Sequence, residues 1–188
     1  MTRNFADRPV DPALVDHVVD SARRVPSAGH TQGFDFVVLE GEQTSAYWDV
    51  TLPAERREGF RWTGLLAAPV IVTVWADPGA YVERYGQHDK ERTGLGGGVD
   101  RWATPYWTVD ASFAAMALQY AAIDAGLGVL FFGMFDHAAA VAEALGVPSD
   151  RQPIGTIAMG WPADTDEAGR SASRPRRALD DVVHRGRW

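Results

Sequence analysis

The chain has 188 residues, of which 46% are hydrophobic, and this length and apolar content suit one compact domain spanning residues 1–188. The net charge of −7 disfavours a nucleic-acid surface, because such a surface needs cations that displace counterions from phosphates. The sequence contains no cysteine, which excludes disulfides, thiolate zinc sites, iron–sulfur clusters and a cysteine nucleophile.

Helical and strand-like segments alternate along the first half of the chain. Asp11 and Pro12 are a typical N-cap and first helical residue, and apolar residues recur at helical spacing from Leu14 to Ala22. The predicted helix ends near Val25 and Pro26. Residues 34–39 form a short apolar run that predicts a strand, and the β-branched segment 70–75 is its predicted partner. Residues 44–59 between them have helical composition.

Residues 77–108 predict one helical turn followed by a long irregular loop, which includes the glycine run at 94–98. Loops of this length in compact domains are often functional lids. Trp102, Tyr106 and Trp107 are therefore candidates for covering a substrate, although burial in the core would account for them equally well.

The most regular segment is 110–125, which is almost entirely apolar or small and predicts a helix at the centre of the protein or at a subunit interface. We interpret Asp110 as the cap of this helix. Strands are predicted at 126–132 and 154–159 with a short helix between them, and an arginine-rich arm follows at 165–188. This order predicts an α+β fold with three α/β/α layers and a central mixed, mostly antiparallel sheet.

Several common site motifs are missing. The glycine run lacks the Gly-Lys-Ser/Thr of a phosphate loop, and no Gly-x-Ser-x-Gly elbow supplies a serine nucleophile. The five histidines form no i, i+4 pair, so we expect no metal site. The longest apolar run, 65–76, is interrupted by Pro69 and is shorter than the roughly 20 residues that span a bilayer. The first residues do not resemble a signal peptide, and we expect a cytoplasmic protein without nucleic-acid or membrane partners.

Two segments remain as site candidates. The loop 26–32, PSAGHTQ, offers side-chain and backbone groups that could bond a planar heteroaromatic ring, although it could also be an ordinary turn before a strand. Arg174 and Arg176 have the side chain best suited to bidentate phosphate contact, although such a run could also be a solvated tail.

Taken together, these features resemble the nitroreductase family of FMN-dependent oxidoreductases over nearly the whole chain. The order and spacing of the matching pieces carry the resemblance more than any single piece does. They are residues 3–5, 22–32, Asp110, 126–128, 132–134, 157–162 and 174–176.

The resemblance implies an intertwined homodimer with FMN between the subunits. It assigns Arg3 to the pyrimidine edge of the flavin, near N1 and the C2 carbonyl, where a cation stabilises the anionic reduced ring. It assigns backbone N–H groups of Gly133 and Met134 to flavin N5 or O4, and Arg174 and Arg176 to the phosphate.

The resemblance also implies that the loop after the first helix packs on the flavin, mostly that of the partner subunit. Pro26, Ser27, Ala28 and His30 would make this contact. His30 stands where the family usually has Asn, and Gly33 stands where it usually has Pro.

The implied function is an NAD(P)H oxidoreductase that transfers hydride through flavin N5 to a small planar electron-poor acceptor, such as a nitroaromatic, a quinone or a conjugated compound. No side chain is implied as catalytic. Two alternatives on the same fold stay open, namely a non-catalytic flavin or deazaflavin binding protein and an oxygen-dependent flavoenzyme. The first is favoured by the absence, before Arg3, of the Arg-Arg-Ser that family members usually carry there. Either the true start of the protein lies upstream of Met1, or the cofactor is loosely held or different.

Overall fold

The computed structural model describes residues 1–167 and 169–188, so the arm predicted at 165–188 is described except at residue 168. Strands and helices alternate along it, joined by loops and short 3₁₀ turns. The strands are β1 (Phe34–Glu40), β2 (Val70–Ala76), β3 (Gly128–Phe132) and β4 (Gln152–Gly160). The α-helices are α1 (Pro12–Ala22), α2 (Ser45–Thr51), α3 (Ala54–Arg57), α4 (Pro78–Tyr85), α5 (Tyr106–Asp124) and α6 (Ala138–Ala144).

The four strands form one sheet in the order β1-β2-β4-β3. The predicted pairing of the first two strands is confirmed, with Phe34 opposite Ala76 and Glu40 opposite Val70. All three pairings are antiparallel, so the described part of the chain contributes no parallel pair to the sheet that we expected to be mixed. The chain runs in opposite directions along any two neighbouring strands of this sheet, so each pair has antiparallel hydrogen bonding.

Helices cover both faces of the sheet, which confirms the three-layer α/β/α prediction. Strand β2 is buried along its whole length, and its side chains point alternately to two cores. Val70, Val72 and Val74 pack in the core that contains α1 and α5, whereas Ile71 and Trp75 pack in the core that contains α2 and α6. The sheet therefore separates two apolar cores, one on each face.

Helix α5 begins at Tyr106, one turn before the predicted start, and this earlier start changes the role of Asp110. Asp110 lies inside the helix and is only 2% exposed, so its interpretation as a cap is wrong. Its carboxylate accepts hydrogen bonds from the Tyr81 hydroxyl at 2.7 Å and from the Ala28 backbone N–H at 2.7 Å. Asp110 therefore ties α4 and the loop 26–32 to α5.

The two faces of α5 have different surroundings. Ala111, Ala114 and Leu118 are buried against the sheet. The outward face carries an apolar stripe whose members are each 48–66% exposed, namely Phe113, Met116, Tyr120 and Ile123. Within a single chain, the helix is thus buried in the protein, as predicted, on its sheet-facing side only, and its other side is exposed. None of the described helices is both long enough and apolar enough to cross a membrane.

Candidate functional site

A cavity lined by aromatic side chains lies on the sheet face that carries α2. The cavity has a volume of about 520 Å³, within the size range of small-molecule sites. The Trp48 and Phe132 rings lie nearly parallel, with centroids 6.3 Å apart, and Tyr47 meets both rings edge-on. We call this cavity the aromatic crevice, and its lining includes Tyr47, Trp48, Phe60, Trp62, Phe132, Gly133, Met134 and Phe135.

The aromatic crevice is flanked by a polar groove that is lined by arginines. Arg3, Arg174 and Arg176 line this second cavity, also of about 520 Å³, which we call the arginine groove. Arg3 and Met1 line both cavities, so the two are adjoining compartments of one region. Within the described residues, the guanidinium groups of Arg174 and Arg176 make no hydrogen bond or ion pair. The groove is therefore suited to an anion.

Arg3 is held in place by the beginning of the C-terminal arm. The backbone N–H groups of Arg3 and Asn4 donate to the Asp166 carboxylate at 2.8 and 2.9 Å. The Arg3 guanidinium lies 5.3 Å from the centre of the Trp62 ring. It also packs against Gly169, where an added Cβ would come within 2.7 Å of Arg3 Nη1. Arg3 is thus directed to the junction of the crevice and the groove by contacts that sequence reasoning missed.

The wall of the crevice stays uncharged at Tyr47. Burial raises the pKa of the Tyr47 hydroxyl, and this outweighs the lowering effect of the hydrogen bond with Thr156. The Thr156 hydroxyl donates to Tyr47 at 3.0 Å. A planar apolar ring entering the crevice would therefore meet neutral aromatic side chains there.

The turn after β3 combines an open backbone with a conformation that side chains rarely adopt. Gly133 and Met134 line the crevice, as does Phe135, whose φ is +49°. A left-handed conformation costs a non-glycine residue about 1–2 kcal/mol. Among the described residues, only His30 and Gln32 are further non-glycine positions with positive φ, at 55° and 54°. Backbone strain therefore occurs in the two loops for which the family resemblance implies a contact with the flavin, and such strain is common at functional sites.

The loop 26–32 does not reach the crevice of its own chain. Ala28 packs against the core of α1 and α5, on the sheet face opposite the crevice, and its N–H is bonded to Asp110. The loop is closed internally, since the Ser27 hydroxyl accepts from the Gln32 N–H at 2.9 Å. The predicted site residues are thus divided. Arg3, Gly133, Met134, Arg174 and Arg176 are brought together, whereas Pro26, Ser27, Ala28 and His30 lie apart from them.

The predicted substrate-covering aromatics have a structural role in this chain. Trp102 and Trp107 are only 9% and 6% exposed and pack edge-on against each other and against Tyr81. Their indole N–H groups are satisfied, by the Leu95 carbonyl at 3.1 Å and by Gln152 Oε1 at 2.8 Å. The core alternative accounts for both residues. Tyr106 is 43% exposed, and its role over a substrate stays a prediction.

The fold and the two cavities define a class of protein: an α+β sandwich that can hold a flat apolar group and an anion side by side. In comparison with known proteins, the model of the nitroreductase family matches residues 1–161. The chain belongs to the nitroreductase family and is an oxidoreductase.

Similar proteins cover almost the entire chain at low identity. A candidate NADH dehydrogenase/NAD(P)H nitroreductase from Archaeoglobus fulgidus is 22% identical over 190 residues, covering 99% of this chain and 92% of the relative. The structure of a nitroreductase family protein from Streptococcus pneumoniae is similar with a TM-score of 0.72 at 23% identity, covering 97% of this chain and 94% of that one. An FMN-dependent nitroreductase from Clostridium difficile gives 0.68 at 19% identity, covering 100% and 94%. These structures support the fold assignment.

Proposed function

We propose that this chain is an FMN-dependent NAD(P)H oxidoreductase of the nitroreductase type that reduces a small planar electron-poor acceptor, namely a nitroaromatic, a quinone or a conjugated compound. The observation that carries the proposal is that the aromatic crevice and the arginine groove adjoin at Arg3. FMN has the matching parts, a flat tricyclic ring and a phosphate. The names of the similar proteins, which include an FMN-dependent nitroreductase and NAD(P)H-linked relatives, support the same cofactors. When bound, FMN supplies a hydride-accepting centre at N5.

The residues that are present fit this cofactor. Gly133 has no side chain to cover its backbone N–H, so that this group and the one of Met134 can donate to the edge of a ring in the crevice. Arg3 would place a cation beside the same ring, where it would stabilise an anionic reduced form. Arg174 and Arg176 would hold the phosphate, since no other described group neutralises them.

The proposal includes a homodimer. The loop 26–32 lies on the sheet face opposite the crevice of its own chain, so its proposed contact with the flavin requires a second copy. The apolar stripe on α5 supports such an assembly, because aromatic and Met side chains are typical of interface cores. Each flavin would then be bound by the crevice of one subunit and by Pro26, Ser27, Ala28 and His30 of the other.

The overall proposal is tested by colour and by reduction. We expect the purified protein to be yellow, to lose its flavin absorbance when NADH or NADPH is added without oxygen, and to regain it when a nitroaromatic or a quinone follows. A yellow protein that neither nicotinamide bleaches would instead be a flavin-binding protein. A colourless protein that takes up no added FMN would exclude the flavin altogether.

The phosphate assignment is tested by replacing Arg174 and Arg176 together with Ala. We expect the FMN dissociation constant to rise about tenfold or more, which corresponds to the loss of at least one charge-assisted hydrogen bond. Fluorescence titration of the apoprotein with FMN measures this change. The matched control is Arg187→Ala, which removes an exposed cation of the same arm outside the groove. Equal FMN affinity in the double variant and the control would remove both arginines from this role.

A further inference from the structure

Phe135 has an unfavourable backbone conformation, and burial of its side chain does not compensate for the cost. Its φ is +49°, and its side chain is 83% exposed. Its ring makes no contact with another aromatic ring in the described part of the chain. Strained positions persist when something else compensates for them, and they cluster at ligand contacts. Burial does not compensate here, whereas contact with a bound ligand would.

The position of the Phe135 ring indicates that such a ligand would lie in the aromatic crevice. Phe135 lines the aromatic crevice, and an added Cβ at Gly133 would lie 3.4 Å from Phe135 Cε1. The ring therefore lies over the Gly133 backbone, at the rim of the crevice, while the neighbouring Met134 is buried. A molecule bound beside this backbone would therefore be within reach of the Phe135 ring.

The other crevice residues limit the chemistry of such a molecule. The walls of the crevice include many aromatic side chains, among them the nearly parallel Trp48 and Phe132 rings. No Asp or Glu is among the described residues that line the crevice, and Arg3 supplies a full positive charge. The crevice thus favours a flat conjugated molecule that is neutral or anionic, and it offers no counter-ion to a cation.

We propose that Phe135 is a specificity-determining residue that stacks on the planar acceptor at the rim of the crevice. The left-handed turn holds the ring outside the core, where it is free to contact the acceptor. This inference rests on the proposed function, since it places the acceptor beside the flavin held at Gly133 and Met134.

The test compares Phe135→Asn with the matched control Phe135→Tyr. Asn tolerates the left-handed conformation but has no ring, whereas Tyr keeps the ring and the strain. The probe is 2-methyl-1,4-naphthoquinone, titrated by absorbance difference into the oxidised FMN-loaded protein without NAD(P)H. The chain has no cysteine to which this quinone could add. We expect its dissociation constant to rise about three- to tenfold in Phe135→Asn, the range for a lost aromatic contact, and to stay near the wild-type value in Phe135→Tyr.

Two further measurements separate this role from a structural one. The thermal midpoint of Phe135→Asn should equal or exceed that of the wild type, because relief of backbone strain removes a cost and no buried contact is lost. The FMN dissociation constant should be unchanged. Loss of stability would show that Phe135 serves the fold, and weaker FMN binding would show that the ring contacts the flavin instead of the acceptor.

The remaining outcomes also decide the question. Dissociation of the assembly in Phe135→Asn would make Phe135 a subunit contact and overturn the inference. Unchanged quinone binding in a variant that keeps its FMN overturns this inference alone. A wild-type protein that binds no FMN overturns the proposed function and this inference with it.

Discussion

Replacing Asp110 with Ala should lower the free energy of unfolding by about 2–3 kcal/mol, since it leaves the Tyr81 hydroxyl and the Ala28 N–H without an acceptor in a buried site. In the wild-type protein, burial raises the pKa of Tyr81 far above its usual range and the hydrogen bond to Asp110 raises it further, so the Tyr81 hydroxyl is a neutral donor to this carboxylate. Chemical denaturation followed by tryptophan fluorescence measures the loss.

Asp124→Ala is the matched control for this experiment, because it removes an exposed carboxylate from the same helix. Its effect should stay within about 0.5 kcal/mol, the usual range for an exposed substitution. Asp110→Asn should lie between the two variants, because the amide oxygen can still accept a hydrogen bond. If Asp110→Ala and Asp124→Ala unfold at the same denaturant concentration, Asp110 does not anchor the loop 26–32.

Introducing Asp at both Phe113 and Tyr120 should convert the proposed dimer to a monomer. Both residues belong to the exposed apolar stripe of α5, and dimerisation would bury four new carboxylates, two from each copy, in an apolar interface. We expect the dimer dissociation constant to rise at least 100-fold, measured by sedimentation. FMN should be lost in parallel, because the loop 26–32 would no longer reach the crevice of a second copy.

The control for the stripe is Ala139→Asp, which adds a carboxylate at an exposed position of α6. Helix α6 packs on the sheet face opposite α5, so this variant should keep both its dimer and its flavin. A stripe variant that sediments like the wild type would show that α5 does not form the interface. A wild-type protein that is already monomeric would contradict the shared site.

The sequence was informative about the fold because periodicity and caps are local. The Asp11–Pro12 start of α1 and the β-branched run of β2 predicted their elements closely. The start of α5 was misplaced because Asp110 resembles a cap, whereas its partners Tyr81 and Ala28 are far away in the sequence. An Asp that caps a helix and an Asp that is buried inside a helix look the same in the sequence when the hydrogen-bond partners of the buried Asp come from distant segments.

Less of the site was predictable, since it depends on which face of the sheet each segment meets. Arg3, Arg174 and Arg176 were predicted from the resemblance and do converge. The aromatic crevice was missed, because composition indicated only a helix around Trp48 and no element was predicted around Trp62. The hydrogen bonds from the Arg3 and Asn4 N–H groups to Asp166 join residues near opposite ends of the sequence, and no local pattern indicates them.

The placement of the loop and the crevice on opposite faces of the sheet has a genetic consequence. If two copies assemble as proposed, a variant changed only in its groove arginines and a variant changed only in its loop 26–32 are each inactive as homodimers. In a heterodimer of the two variants, one of the two sites combines an intact groove with an intact loop, and the other site has both defects. Co-expression of the two defective alleles should then rescue activity to as much as half that of wild-type dimers for each mixed pair, by intersubunit complementation.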